Sequence, residues 1–257
     1  MKYNKFLISI VYYERPQVLL NALNSILNID YPNFEVHLID DGSMNRAEPI
    51  VRDVCKSIID KFKFSYIENS VEQKKLQGGS IHGKYLTDSI YGSDADHVIV
   101  LCDDDAIYPN FLNNLNELLN NSENEGKNYF YHNIVTYDSL TETYMDGVKR
   151  NDLSYFTNAW KEPINCYCKV DGSQVTFNRH KFVEDSISYA YPQTAGLDAD
   201  SFQKMFDKWG PAFYSGLIGQ IKSNNADNLI NKGHGDRMFV TKDMNNNSNI
   251  IKGRLEL

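Results

Sequence analysis

The apolar positions of this chain fall into a few runs whose lengths and spacings suit strands alternating with helices. Phe6-Leu7-Ile8-Ser9-Ile10-Val11-Tyr12 is an unbroken β-rich run, as a strand covered on both faces requires. Pro16 stands where a helix can begin, because its fixed φ and missing N–H suit a first turn. Behind it Val18, Leu19, Leu20, Ala22, Leu23, Ile26 and Leu27 recur at helical spacing. Tyr31-Pro32-Asn33 breaks that helix. Phe34 to Ile39 then alternates into a second strand, closed by the turn signal Asp40-Asp41-Gly42-Ser43. The pattern continues with a helix over Ala47 to Phe62, a weaker strand near Phe64 to Ile67 and a polar loop over 68–83. A short helix over Lys84 to Tyr91 and a buried-type strand at His97 to Leu101 follow. Pro109 opens a further helix carrying Phe111, Leu112, Leu115, Leu118 and Leu119. This β-α-β-α order predicts an α/β fold with a mostly parallel central sheet flanked by helices.

Beyond residue 128 the character changes. Tyr129 to Thr136 and Gln174 to Phe177 read as strands without regular intervening helices, and Ala199 to Lys208 is the good helix candidate there. No Pro-, Gly- or Ser-rich linker separates the halves, and no internal repeat is visible. The expectation is one domain over residues 1–240, with halves at 1–105 and 106–240. A polar tail over 241–257 contains the low-complexity stretch Met244 to Asn249.

Composition removes several classes. The 257 residues carry 26 Lys and Arg against 34 Asp and Glu, a formal charge of -8. A duplex-binding protein needs a basic face, so no nucleic-acid partner is expected. No apolar run reaches the roughly 18 to 20 residues of a transmembrane helix. The apolar N-terminal stretch is interrupted by Tyr12, Tyr13, Glu14 and Arg15 and lacks a small-residue cleavage site, so it reads as a strand and not a signal peptide. Four cysteines are too few for a disulfide scaffold, and a reduced, cytoplasmic setting fits them. Cys166-Tyr167-Cys168 has no second pair at metal spacing and reads as core or strand.

The candidate chemistry sits at strand ends, where ligands collect in open α/β sheets. Cys102-Asp103-Asp104-Asp105 directly follows the apolar strand His97 to Leu101. Three adjacent carboxylates repel one another, and a hard divalent cation such as Mg²⁺ or Mn²⁺ would compensate them; the bland alternative is a solvated acidic turn. At the second strand end, an Asp of Asp40-Asp41 can accept a hydrogen bond from a nucleobase, while Gly42 lets backbone approach a ligand. The alternative there is an ordinary Asp-Gly turn.

In this order and spacing the motifs resemble the family 2 glycosyltransferases, nucleotide-sugar enzymes of the GT-A fold, over roughly residues 5 to 240. Ile8 to Pro16 is similar to their first strand and nucleotide-binding loop, Leu38 to Ser43 to their second strand end, and Val100 to Asp105 to their metal-binding DxD segment. Asp171 to Arg179 resembles the Gly-Ser segment lining the acceptor side, and Gly196 to Phe202 the acidic motif that supplies the catalytic base. Leu229 to Asp236 is similar to the terminal strand whose basic residue and His face the diphosphate and metal.

The resemblance implies a metal-dependent, inverting transfer of a sugar from a nucleoside diphosphate sugar, by family habit UDP-linked, to a glycan or other hydroxyl acceptor. It implies nucleotide contacts from Tyr12, Tyr13, Arg15, Asp40, Asp41, Lys84, Asp103 and Lys232, with Lys74 and Lys75 as rivals of Lys84. Metal would be held by Asp103, Asp104, Asp105 and His234, with the pair either Asp103 and Asp105 or centred on Asp104. Asp198 inherits the base role, and Gly172 and Ser173 line the acceptor side. Asp200 is a second acidic candidate on the acceptor side or a charge on the N-terminus of the following helix. Trp160, Tyr189 and Tyr191 are candidate sugar platforms. The rival readings are a nucleotidyltransferase, a non-catalytic sugar-nucleotide or glycan-binding protein of the same fold and, more remotely, a transferase acting on modified bases in DNA.

Overall fold

The first half of the sheet is built from strands whose side chains alternate between two apolar layers. In the computed structural model β1 (Phe6–Tyr12) pairs in parallel with β2 (Phe34–Asp40) on one side and β4 (His97–Cys102) on the other. β2 in turn pairs in parallel with β3 (Lys63–Glu68). Phe6, Ile8, Ile10 and Tyr12 of β1 pack with Leu19, Ala22, Leu23 and Ile26 of α1 (Pro16–Leu27) and with Phe111, Leu112 and Leu115 of α3 (Phe111–Asn120). Leu7 points to the opposite face, with Leu86 and Ile90 of α2 (His82–Gly92). The period of two along a strand produces this division, and each apolar side chain fully buried contributes about 1.5–3 kcal/mol.

The second half is mixed. β8 (Val175–Asn178) pairs antiparallel with β4, and β6 (Tyr129–Asp138) pairs antiparallel with β8. β9 (Phe213–Asn224) runs parallel to β6, and the short β5 (Asp105–Ile107) pairs antiparallel with β9. β7 (Thr143–Met145) hangs on β6. The result is a nine-stranded sheet of order β3-β2-β1-β4-β8-β6-β9-β5. Two helices complete this half, α4 (Arg179–Glu184) and α5 (Leu197–Trp209).

The described residues are 2–47, 49, 51, 63–68, 70, 72, 82–138, 143–145, 161–167, 170–189 and 197–224. Most of the helix expected over Ala47 to Phe62, the segment Leu229 to Asp236 with Lys232 and His234, the polar tail, Lys74, Lys75, Trp160, Cys168 and Tyr191 lie outside them. The expected parallel strands are present, as are the helices expected after Pro16, over Lys84 to Tyr91 and after Pro109. β5, β7, β9 and α4 were not anticipated, and α5 begins two residues before the expected Ala199. Cys166 is buried in the core, as expected for that position. Among the described residues no helix is long and apolar enough to cross a membrane.

The topology already selects one edge of the sheet. β2 and β3 lie to one side of β1 and β4 to the other, so the strand order reverses between β1 and β4. A crevice opens beyond the carboxyl ends of the strands at such a switch point. Tyr13 to Arg15 leave β1 there, and Asp103 to Asp105 leave β4 beside them.

Candidate functional site

The acidic segment after β4 is not a solvated turn. Asp103, Asp104 and Asp105 are all buried, at 2%, 5% and 1% exposure. Two cations from different parts of the chain compensate them. Arg15 forks across two carboxylates, with Nη1 donating to Asp104 Oδ2 at 2.8 Å and Nη2 to Asp103 Oδ1. Tyr13 N–H donates to the other oxygen of Asp103 at 3.2 Å. Lys222 approaches from β9, where it stands in register with Asp105, and lies 3.8 Å from Asp105 Oδ2 and 2.6 Å from Asp171 Oδ2.

The β1 loop takes its shape from Glu14, which sits at φ 58, a left-handed conformation that a residue with a Cβ adopts at a penalty of about 1 kcal/mol or more. Its carboxylate accepts from Met44 N at 2.6 Å, Asn45 N at 3.1 Å and Asn45 Nδ2 at 3.0 Å, while Glu14 N donates to Ser43 Oγ at 3.0 Å. These bonds hold the loop against the end of β2 and turn the next side chain, Arg15, towards the carboxylates. Asp40 braces the same loop, accepting from Ser43 N at 3.0 Å and Ala47 N at 3.2 Å. Tyr12 is fully buried and donates its hydroxyl to Asn45 O at 2.5 Å. Of the positions expected to contact the nucleotide, Tyr12 and Asp40 are therefore engaged in knitting two loops together. Tyr13, 44% exposed, presents its ring at the edge, and Asp41 is buried beside it with N–H donating to Tyr12 O at 3.0 Å.

On the other flank Asp171 caps a short 3₁₀ turn, Gly172–Gln174, through a reciprocal capping box with Gln174. Its carboxylate accepts from Ser173 N at 3.1 Å and from Ser173 Oγ at 2.6 Å, so the Ser173 hydroxyl is spent internally. Gln174 donates to His132 O at 2.8 Å and Gln220 donates to Ser173 O, which ties the turn to β6 and β9. His132 is itself a buried structural group between Ser215 and Thr176, and burial lowers its pKa to about 3.

Asp198 lies in the first turn of α5, half-buried, with its carboxylate directly over Gly172. A Cβ at position 172 would stand 2.4 Å from Asp198 Oδ2 and 2.8 Å from Oδ1, so a larger residue there would push the carboxylate aside. The Gly-Ser segment and the acidic motif, distant in sequence, are thus brought into contact. Asp200 is exposed on the same first turn. Tyr189 is buried, and burial together with the Asp198 charge pushes its phenol well up. Lys84 is exposed on α2 and pairs with Asp88 one turn on.

Charges in the site follow from these contacts. Burial, reinforced by Asp104 and opposed by Arg15, pushes Asp103 up to about 7. Burial would raise Asp171 too, but Lys222 and the two Ser173 donors outweigh it and hold the carboxyl at about 2. Burial also raises the Cys102 thiol, while the surrounding carboxylates outweigh burial at Arg15 and Lys222 and keep both charged.

Donor chemistry tests whether a divalent cation fits. Cys102, Asp104 and Asp105 each bring one ligand atom to within 4.8 Å of the others. Asp103, expected in that set, is turned to Arg15 and Tyr13 instead. The four linked carboxylates of Asp103, Asp104, Asp105 and Asp171 face the two cations Arg15 and Lys222, so full ionisation leaves two negative charges. Two carboxylate donors with that surplus suit Mg²⁺ or Mn²⁺. Cys102 heads the acidic segment in the sequence but was not counted there as a ligand, whereas Lys222 was missed and is placed only by the pairing of β9 with β5.

Comparison with known proteins adds the following. The model of the family described as "Glycosyl transferase family 2" matches residues 7–179. The structure is similar to that of Staphylococcus aureus TarS 1-349, at 15% identity and a TM-score of 0.64, covering 85% of this chain and 60% of that one. The same TarS fragment in complex with UDP-GlcNAc gives 13% identity and a TM-score of 0.60, covering 86% of this chain and 58% of that one. A mannosyltransferase, PcManGT from Pyrobaculum calidifontis in complex with GDP-Man and Mn²⁺, gives 14% identity and 0.62, covering 89% of this chain and 59% of that one. The chain thus spans about three fifths of the length of these structures, and identities this low establish likeness of fold. No curated protein matches the chain.

Proposed function

Because the chain belongs to glycosyl transferase family 2 and has the GT-A α/β fold, we propose that it moves a sugar from a nucleoside diphosphate sugar to an acceptor hydroxyl, with inversion at the anomeric carbon. The observation that carries the reading is a convergence of distant segments at one sheet edge. Arg15 meets Asp104, Asp105 beside it meets Lys222, Lys222 meets Asp171, and Gly172 lies under Asp198.

The donor's base is assigned to the edge between Tyr13 and Asp41, with the diphosphate over Arg15 and the Asp104–Asp105 pair. A bound Mn²⁺ or Mg²⁺ would supply Lewis-acid stabilisation of charge on the departing diphosphate. Arg15 offers two parallel N–H donors for the same oxygens. Lys222 neutralises Asp105 and Asp171 and keeps their repulsion away from the leaving group. Lys84, Lys232 and His234 are assigned to the diphosphate side on the family resemblance alone.

On the opposite side the acceptor lies over the Gly172 turn, and Asp198 takes the proton of its hydroxyl as it attacks. A carboxylate in hydrogen-bond reach contributes about 10²- to 10⁴-fold in that role. Attack by the acceptor itself, with no covalent sugar–enzyme stage, inverts the anomeric centre. Asp200, exposed one turn face away, is assigned to the acceptor approach or to the helix N-terminus. A UDP-linked donor is favoured by family habit. The TarS complex with UDP-GlcNAc and the PcManGT complex with GDP-Man and Mn²⁺ make both nucleotides worth testing.

The test is release of nucleoside diphosphate from a panel of UDP- and GDP-sugars with Mn²⁺ and candidate glycan acceptors. One donor is expected to turn over, and Asp198→Asn is expected to bind it while transferring none. Transfer by Asp198→Asn at the normal rate overturns the base assignment. Nucleotide binding without turnover of any sugar would favour a binding protein of the same fold.

A further inference from the structure

The two cations of the site are held in unequal ways. Lys222 belongs to the sheet: its backbone is in register with Asp105 and its ammonium is anchored on Asp171 at 2.6 Å. Arg15 belongs to a loop at the ligand-facing edge, and its side chain is 19% exposed. One arm of its fork holds Asp103, which Tyr13 N–H fixes from the other side. The other arm holds Asp104, and Asp104 is also one of the three residues whose ligand atoms converge. The same carboxylate therefore serves the guanidinium and the candidate metal position.

A divalent cation on Asp104 and Asp105 would lie beside a guanidinium bound to the same carboxylate, and like charges so close repel in a buried site. A diphosphate changes that balance. Its oxygens accept the parallel N–H donors of an arginine as well as a carboxylate does. Arg15 can pass from Asp104 to the diphosphate without losing its partners, and the vacated carboxylate oxygen then serves the cation.

We propose that Arg15 is an internal competitor for the divalent cation, released from Asp104 by the donor's diphosphate, so that metal and nucleotide bind cooperatively. The proposal rests on the nucleotide-sugar reading above. It makes Arg15 a positioning residue whose role is a coupling between two ligands, and such coupling is reciprocal.

The experiment is titration of Mn²⁺ against the whole chain, alone and with saturating UDP or GDP, reading free Mn²⁺ by electron paramagnetic resonance and subtracting the Mn²⁺ that the same nucleotide takes up without protein. In the unaltered protein the nucleotide is expected to tighten Mn²⁺ binding by about tenfold or more. Arg15→Met is expected to bind Mn²⁺ alone about tenfold more tightly than the unaltered protein, and the gain from nucleotide should fall by about fivefold or more, to what the cation's own attraction to the diphosphate supplies. Arg15→Lys keeps the buried charge but lacks the fork, so it serves if the Met variant does not fold; its coupling should fall by about threefold. If Arg15 acted through its charge alone, Arg15→Met would tighten Mn²⁺ equally with and without nucleotide. An unchanged coupling ratio in the folded variants therefore overturns the proposal while leaving the donor site standing. A protein that binds Mn²⁺ with no nucleoside diphosphate overturns the donor-site reading, and this proposal with it.

Discussion

Gly172→Ala is the substitution whose consequence follows most directly from the geometry. Gly172 is buried and does not occupy the left-handed region, so alanine suits its backbone and the change adds only a methyl group. That methyl would stand 2.4 Å from Asp198 Oδ2 and 2.5 Å from its Cγ. Carbon and oxygen approach comfortably only to about 3.3 Å, so the Asp198 carboxylate or the 3₁₀ turn must move by about 1 Å. The turn is held by the Asp171–Gln174 capping box and by the Gln220 bond to Ser173, whereas the Asp198 side chain sits at a helix start. The carboxylate is therefore the part expected to yield. A 1 Å displacement of a catalytic group lowers the rate by about 10²-fold, while a half-buried side-chain end that swings aside leaves stability nearly unchanged. Steady-state kinetics with the matching donor should show kcat down by about two orders of magnitude. The nucleotide Kd should stay unchanged, because Arg15 and the β4 carboxylates are untouched. A Gly172→Ala protein with ordinary kcat would show that Asp198 does not act from the position seen here.

The remaining predictions concern the charges behind the site. Lys222→Met leaves Asp171 and Asp105 buried without their cation, and should destabilise the protein by about 3–5 kcal/mol in urea unfolding. Adding Asp171→Asn should recover part of that loss; a Lys222→Met protein within about 1 kcal/mol of the unaltered one would contradict the pairing. Asp171 has a folded pKa depressed from 3.8 to about 2, so its stabilising contribution is present above the unfolded value and is lost as pH falls through the folded one. Unfolding between pH 4 and pH 2 should lose on the order of 2 kcal/mol to this group, and Asp171→Asn should flatten that limb. Asp103 acts with the opposite sign, because its folded pKa is raised to about 7. Its contribution is greatest at low pH and falls as pH rises from about 4 towards 7, a window that separates it from Asp171.

Much of the parallel half could be read from the chain because a strand buried on both faces leaves an unbroken apolar run. Phe6 to Tyr12 and His97 to Leu101 do so, Phe34 to Ile39 shows itself by alternation instead, and β1, β2 and β4 follow these segments closely. β9 left no such run. Gly216 at φ 74 and Gly219 interrupt it, and the β6–β9 register shifts twice near Asn133, which breaks the period of two. α4 has only six residues, too short for a helical period to show.

The site was legible to the same extent and for related reasons. The strand-end carboxylates stood out because they close an apolar run, and Gly172 and Asp198 stood out through the family resemblance. What could not be read was the partnership among them. That Arg15 takes Asp103 away from the converging donors depends on the φ of Glu14 and on three bonds to the β2 loop. That Lys222 reaches Asp105 depends on a strand the pattern did not announce. Tyr12 and Asp40, which look like ligand contacts in sequence, are engaged by Asn45, Ser43 and Ala47 once the loops are packed.

The central claim is that nucleotide binds through a cation at the Asp104–Asp105 end of β4. Thermal unfolding with UDP, GDP, CDP and dTDP, each with and without Mn²⁺, tests it most directly, with Asp104→Asn as the comparison. A ligand at about 100 times its Kd stabilises by roughly 2.7 kcal/mol, a shift of about 5–10 °C for a chain of this size. The account predicts such a shift with one nucleotide, only when Mn²⁺ is present, and its loss in Asp104→Asn. No shift with any nucleotide at millimolar concentration, or one indifferent to both Mn²⁺ and Asp104, would contradict it.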